Sequence, residues 1–107
     1  MTKLRIRLAV AGALAPAMLA WAAAPIVVNQ NHRSFSVREL SIKRGDVIRF
    51  SNADEFLHHV YVRSPAFSFN SGEQPPGRDV DVPFTAAGTF EVRCEVHPKM
   101  LMTVSVN

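Results

Sequence analysis

Phe90-Glu91-Val92-Arg93-Cys94 leads without a break into Glu95-Val96-His97-Pro98-Lys99-Met100. Phe90 and Val92 share one parity and Glu91 and Arg93 the other, the pattern of a strand buried on one face. Extending that parity puts Cys94 on the buried side, where the strand ends. An imidazole follows three residues later, and a thioether three after that. A thiolate, a neutral imidazole and a weak sulfur donor on one tight loop are the ligand types of a mononuclear copper site.

The same two-residue period extends outward from this stretch. Leu40 and Ile42 alternate with Ser41 and Lys43, and Ile48 and Phe50 with Val47, Arg49 and Ser51. Val80, Val82 and Phe84 alternate with Asp79 and Asp81, and Val104 and Val106 with Thr103 and Ser105. Turn signals separate these runs at Arg44-Gly45-Asp46, Asn70-Ser71-Gly72, Pro75-Pro76-Gly77 and Ala87-Gly88. No stretch of 23–107 carries a convincing 3.6-residue period. The expectation is an all-β antiparallel sandwich of about seven to eight strands. Pro83 assigns its run to an edge or a bulge, because it brings no N–H to a ladder. Residues 63–78 form the one long irregular stretch, with Phe67 and Phe69 expected to tuck inward.

A fourth ligand comes from Leu57-His58-His59-Val60-Tyr61-Val62. With Val60 and Val62 inward, the same parity turns His58 inward and His59 outward. The expected metal site is therefore His58, Cys94, His97 and Met100. His59 is the alternative imidazole, disfavoured by parity. Met102 is the alternative thioether, but it shares the inward parity of Val104 and Val106, where a core methionine is the commoner role. Zinc competes for Cys and His but seldom takes methionine, whereas a long axial thioether suits copper. A hydrolase is excluded, because no Ser-His-Asp set is evident and a four-ligand metal leaves no place for substrate.

The chain has 107 residues, enough for one domain with a single core. Its 48% hydrophobic and 20% charged residues are an ordinary globular balance. The net charge of +3 does not point to nucleic acid. Three of the twelve basic residues, Lys3, Arg5 and Arg7, open a segment with the order of a secretory signal peptide. An apolar run over 8–20 follows them, and Ala20 and Ala22 fit an A-x-A cleavage pattern. Residues 1–22 are read as the signal and 23–107 as the domain. Pro16 and Pro25 argue against an uncleaved membrane anchor. The remaining nine basic residues balance nine acidic ones, so a basic surface for nucleic acid is absent. Cys94 is the only cysteine, which excludes an internal disulfide. His32 is read as a solvated loop residue.

The chain resembles the plastocyanin/amicyanin class of cupredoxins, the small blue copper proteins. The matching stretches are Leu40-Ser41-Ile42-Lys43-Arg44-Gly45-Asp46, Asn52 before the first histidine, Ala86-Ala87-Gly88-Thr89-Phe90, and the Cys94-x-x-His97-x-x-Met100 loop. They cover nearly the whole chain after the leader, and the loop is the short amicyanin form. The resemblance implies a Greek-key sandwich with copper at one end and one-electron transfer between Cu(I) and Cu(II). His58, Cys94, His97 and Met100 match the family's ligands position by position. The leader implies export to the periplasm, and the resemblance a monomeric, non-enzymatic carrier. Its partners would be a dehydrogenase, cytochrome or oxidase, met through a small transient interface near His97.

Two positions depart from the family pattern. Leu57 stands where Pro is common before the first histidine, and His59 where Asn ties the two ligand loops together. The His59 imidazole is a candidate for that tie. Arg63, Arg93 and Lys99 are candidates for a local basic rim. Copper handling without electron shuttling is the alternative function, although the Met-rich or His-rich flexible segments common in such proteins are missing.

Overall fold

The computed structural model describes residues 24–107; the expected leader and its cleavage site lie outside them. The strands are β1 (Ile26–Asn31), β2 (Ser34–Phe35), β3 (Glu39–Ile42), β4 (Val47–Asn52), β5 (Val60–Val62), β6 (Phe69–Asn70), β7 (Asp79–Pro83), β8 (Gly88–Cys94) and β9 (Leu101–Val106). One sheet has the order β2-β1-β4-β7 and the other β3-β9-β8-β5-β6. No helix occurs among the described residues.

The expected all-β sandwich is present, with one correction to its strand directions. Both sheets are mixed, because β1 pairs with β4 and β3 pairs with β9 in parallel. Side-chain alternation records which face is buried and is the same for parallel and antiparallel neighbours. Direction depends instead on connections. β1 reaches β4 by way of β3, which belongs to the opposite sheet, and so returns beside β1 in the same sense. Two-residue strands β2 and β6 raise the strand count above the expected seven to eight. Sequence patterning passed over β1 because its buried face carries Gln30 beside Val28, which breaks the apolar alternation.

Apolar parity elsewhere translates directly into the core. Ile42, Ile48, Phe50, Val82, Phe84, Phe90, Val92, Val104 and Val106 are all buried between the sheets. Full burial of each such side chain stabilises the fold by about 1.5–3 kcal/mol. Phe67 and Phe69 turn inward as expected. Phe67 packs 4.9 Å from Phe84 and 5.5 Å from Phe90, and Phe69 stacks on Phe50 at 5.9 Å. Pro83 lies on β7, the edge of its sheet, opposite Val47. These aromatics fill the core toward the start of β8, leaving the end of that strand, with Cys94, for polar chemistry.

The β1–β2 hairpin turns through His32 and Arg33, with φ of 53° and 55°. Two consecutive positive φ values give the mirror-image turn that matches strand twist, normally built from Asn and Gly. Here Asn31 caps it by accepting the His32 N–H at 3.0 Å. The turn sets Arg33 against the loop that precedes β5, through the Asp54 contact below.

Candidate metal centre

Three segments meet at one end of the sandwich. Cys94 closes β8, is buried, and pairs with Val60 of β5. His58 precedes β5 and is fully buried. A two-way backbone bridge to Gln74 holds it: the His58 N–H donates to the Gln74 carbonyl at 3.0 Å, and the His58 carbonyl accepts the Gln74 N–H at 2.8 Å. His97 lies in the turn after β8, closed by the Met100 N–H donating to the His97 carbonyl at 2.9 Å.

These segments bring ligand atoms of His58, Cys94 and His97 within 4.8 Å of one another. Cys94 Sγ is 3.6 Å from His58 Nδ1, and the Nδ1 atoms of His58 and His97 are 3.2 Å apart. A tetrahedral centre with metal–nitrogen bonds of about 2.0 Å and metal–sulfur bonds of about 2.3 Å spaces its donors by roughly 3.3–3.6 Å. The donors therefore already stand at ligand spacing. Met100 is buried as well. The β8–β9 register pairs Arg93 with Leu101 and Val92 with Met102. Met100 comes one residue before that ladder begins, in the turn that carries His97, while Met102 lies opposite Val92, inside the core.

Asp54 orients the buried histidine. Its Oδ2 accepts the Arg33 backbone N–H at 2.8 Å and lies 3.1 Å from His58 Nε2; its Oδ1 accepts the Glu55 N–H at 3.0 Å. Burial works to raise the pKa of this carboxyl. The Arg33 N–H, the His58 ring and the Glu55 N–H outweigh it and hold the group below the ordinary carboxylate range. An ionised Asp54 can only accept a hydrogen bond, so it selects the tautomer with the hydrogen on Nε2 and leaves the Nδ1 lone pair facing Cys94 and His97. His97 is held below the ordinary histidine range, first by burial and then by the nearby His58 and Arg33, with Asp54 opposing. A lowered pKa favours the neutral imidazole that a metal requires.

A buried polar scaffold supports this end. Asn52 donates to the carbonyls of Phe56 and Gln74, both at 2.8 Å, and accepts the Asp54 N–H at 2.9 Å. Gln74 donates to Phe50 and Arg78 carbonyls and accepts from Gln30 at 2.9 Å. Asp54, Gln30 and Gln74 were not singled out from sequence. The only local signal was a carboxylate four residues before His58, inside what reads as a polar turn.

Two expectations change. The His59 imidazole turns away, its Nε2 lying 2.6 Å from Asn70 Oδ1 on β6. The loop tie instead runs through the His59 backbone, whose N–H donates to Cys94 Sγ at 3.4 Å and whose carbonyl accepts the Glu95 N–H at 2.9 Å. The expected basic rim is also different. Arg63 is paired with Glu95 at 2.6 Å and Arg93 with Glu91 at 3.0 Å, which leaves Lys99 of the three. His32 is exposed, as read from sequence.

A thiol, two imidazoles and a buried thioether nearby suit copper, because zinc seldom takes methionine. Comparison with known proteins agrees. An oxidised amicyanin variant shares the fold with a TM-score of 0.71 at 26% identity, over 78% of this chain and 82% of its own. A reduced amicyanin variant gives 0.72 at 25% identity, over 84% and 87%. Methylamine utilization protein MauL of Methylophilus methylotrophus is 36% identical over 66 residues, 59% of this chain. The chain spans 38% of the length of that relative. The model of copper-binding proteins of the plastocyanin/azurin family matches residues 22–107. The chain therefore belongs to the plastocyanin/azurin family of copper-binding proteins, and its cofactor is copper.

Proposed function

We propose that the protein is an exported type 1 (blue) copper protein, with His58, Cys94, His97 and Met100 as ligands, that carries single electrons between redox partners. The observation that carries this reading is the pre-assembled donor set, with 3.2 and 3.6 Å separations in a buried site. Copper supplies the one-electron change between Cu(II) and Cu(I). The chain's part is to keep the donors in one arrangement for both states, so that little rearrangement accompanies transfer. Asp54 holds His58, the β5–β8 pairing holds Cys94, and the closed turn holds His97. The His59 N–H directed at Cys94 Sγ tunes the thiolate.

His97 is only half-buried, and its surroundings are apolar. Val96 is an exposed hydrophobic, and Val96, His97 and Pro98 line a shallow surface depression with Arg33 and Lys99. This edge is the electron's exit. A short-lived encounter there would bury less than about 1,200 Å² in total. The similarity to amicyanin and to a methylamine utilization protein supports a dehydrogenase, cytochrome or oxidase as partner. The protein acts in the periplasm as a monomer and not as an enzyme. No helix among the described residues is long and apolar enough to cross a membrane.

Copper titration of the purified protein, followed by optical and EPR spectra in both oxidation states, tests this reading. The expected result is one copper per chain, an intense visible thiolate-to-copper band, and reversible cycling with a redox mediator. A colourless protein that holds only Cu(I) and does not cycle would assign it to copper handling instead.

A further inference from the structure

Charge on this domain is balanced overall but unevenly placed. Three arginines are neutralised locally, by the pairs Arg49–Asp81, Arg63–Glu95 and Arg93–Glu91. Among the described residues Arg33, Arg38 and Lys99 have no carboxylate within 4.0 Å of their charged groups. All three line one cleft of about 380 Å³, with Glu39 its only acidic residue and buried Met100 among its walls. Cations brought together without partners repel one another, so a net positive cleft on a neutral domain has a place for an anion.

The cleft adjoins the electron-exit surface. Arg33 and Lys99 line both it and the apolar depression around His97. Arg33 is also fixed in place. Its backbone N–H is bound to Asp54, its guanidinium lies 4.0 Å over the Phe56 ring, and Phe56 meets His97 edge-on at 6.0 Å. A cation held in advance loses less freedom when it is paired, and a guanidinium matches a carboxylate in two-point geometry.

We infer that the cleft bounded by Arg33, Arg38 and Lys99 docks an acidic face of the redox partner, its carboxylates entering beside Met100 while its apolar centre covers His97. The inference rests on the electron-carrier reading and adds to it the sign of the partner's charge. Attraction of this kind raises the association rate and fixes orientation, and salt weakens it over a screening length of about 8–10 Å.

The test uses the copper-loaded full protein in its Cu(I) state and two inorganic oxidants, anionic hexacyanoferrate(III) and cationic tris(phenanthroline)cobalt(III). Raising salt from low to high concentration should slow the first reaction by about 3–10-fold and leave the second unchanged or faster. Hexaglutamate should inhibit oxidation by hexacyanoferrate, and hexalysine should not. Arg38→Glu combined with Lys99→Glu should reverse the salt effect at matched driving force. Lys43→Glu combined with Arg44→Glu alters net charge equally at the far end of β3 and should leave the salt effect in place. Equal salt dependence for both oxidants, or equal effects of the two double variants, overturns the inference and leaves the carrier reading intact. A copper protein that neither oxidant oxidises overturns both. Retention on phosphatidylglycerol vesicles without inhibition by hexaglutamate would assign the cleft to a lipid surface and overturn the protein-partner assignment.

Discussion

Oδ2 of Asp54 bonds both the backbone N–H of Arg33, at 2.8 Å, and the Nε2 of His58, at 3.1 Å, so one carboxylate holds a hairpin turn and a metal-site imidazole together. The turn is one of two residues with φ above 50°, a conformation that non-glycine residues adopt only when held. The stabilisation of the turn and the aim of His58 therefore depend on the same oxygen.

Asp54→Ala should remove the acceptor for both groups. Loss of such a supporting partner typically weakens metal affinity by about 10–100-fold. Leaving the buried donors unpaired should cost the apoprotein about 1–3 kcal/mol. Asp54→Asn keeps an oxygen in place without the charge and should fall between the variant and the native protein. Competition for copper against a chelator, with chemical denaturation of the apoprotein, measures both quantities. Native copper affinity in Asp54→Ala would assign Asp54 to the hairpin alone.

Met100→Leu should retain copper with a changed potential and visible spectrum, because Met100 is buried in the turn that carries His97. Met102→Leu, opposite Val92 in the core, should leave the spectrum alone and cost under about 1.5 kcal/mol, as volume-conserving core exchanges do. Spectra and potentials of the two variants check the assignment. A spectral change confined to Met102→Leu would exchange their roles.

Much of this was legible because the chemistry follows strand parity. His58, Cys94 and Met100 are buried, and Phe90, Val92 and Val104 are buried in the same alternation. Parity carries no information on strand direction, so the parallel β1–β4 and β3–β9 pairs came only with the structure. It is equally blind to polar residues used as core. Gln30 and Gln74 are fully buried through hydrogen bonds between distant segments, 44 positions apart, and nothing local marks them. His59 shows a third limit. Its outward parity was correct, but its imidazole partner, Asn70, depends on β5–β6 pairing.

Cys94→Ser should abolish the blue band while the apoprotein stays folded. The core on either side of Cys94 is formed by Val60, Val92 and Met102, all buried without reference to metal. The serine hydroxyl finds the His59 N–H that Sγ accepts in the native protein. Circular dichroism and the apoprotein melting temperature should match the parent within a few degrees. An unfolded Cys94→Ser apoprotein would show that scaffold and site are not separable.

Gly88→Ala tests the scaffold at the opposite end of β8. Gly88 has φ of 142°, and a methyl group added there would meet the Phe90 ring at 3.1 Å. Both effects oppose the substitution. The backbone value is one that side chains rarely adopt, and Phe90 is packed against Phe67 and Phe84, which limits how far its ring can yield. The expected loss is about 1–3 kcal/mol, corresponding to a fall in melting temperature of roughly 4–8 °C per kcal/mol. Six residue steps along the extended strand separate Gly88 from Cys94, about 20 Å at 3.3 Å per step, so the copper spectrum should not change. Calorimetry beside an optical spectrum reads both. An unchanged melting temperature would mean that the Phe90 ring moves freely, and an altered spectrum that the two ends of the sandwich are mechanically coupled.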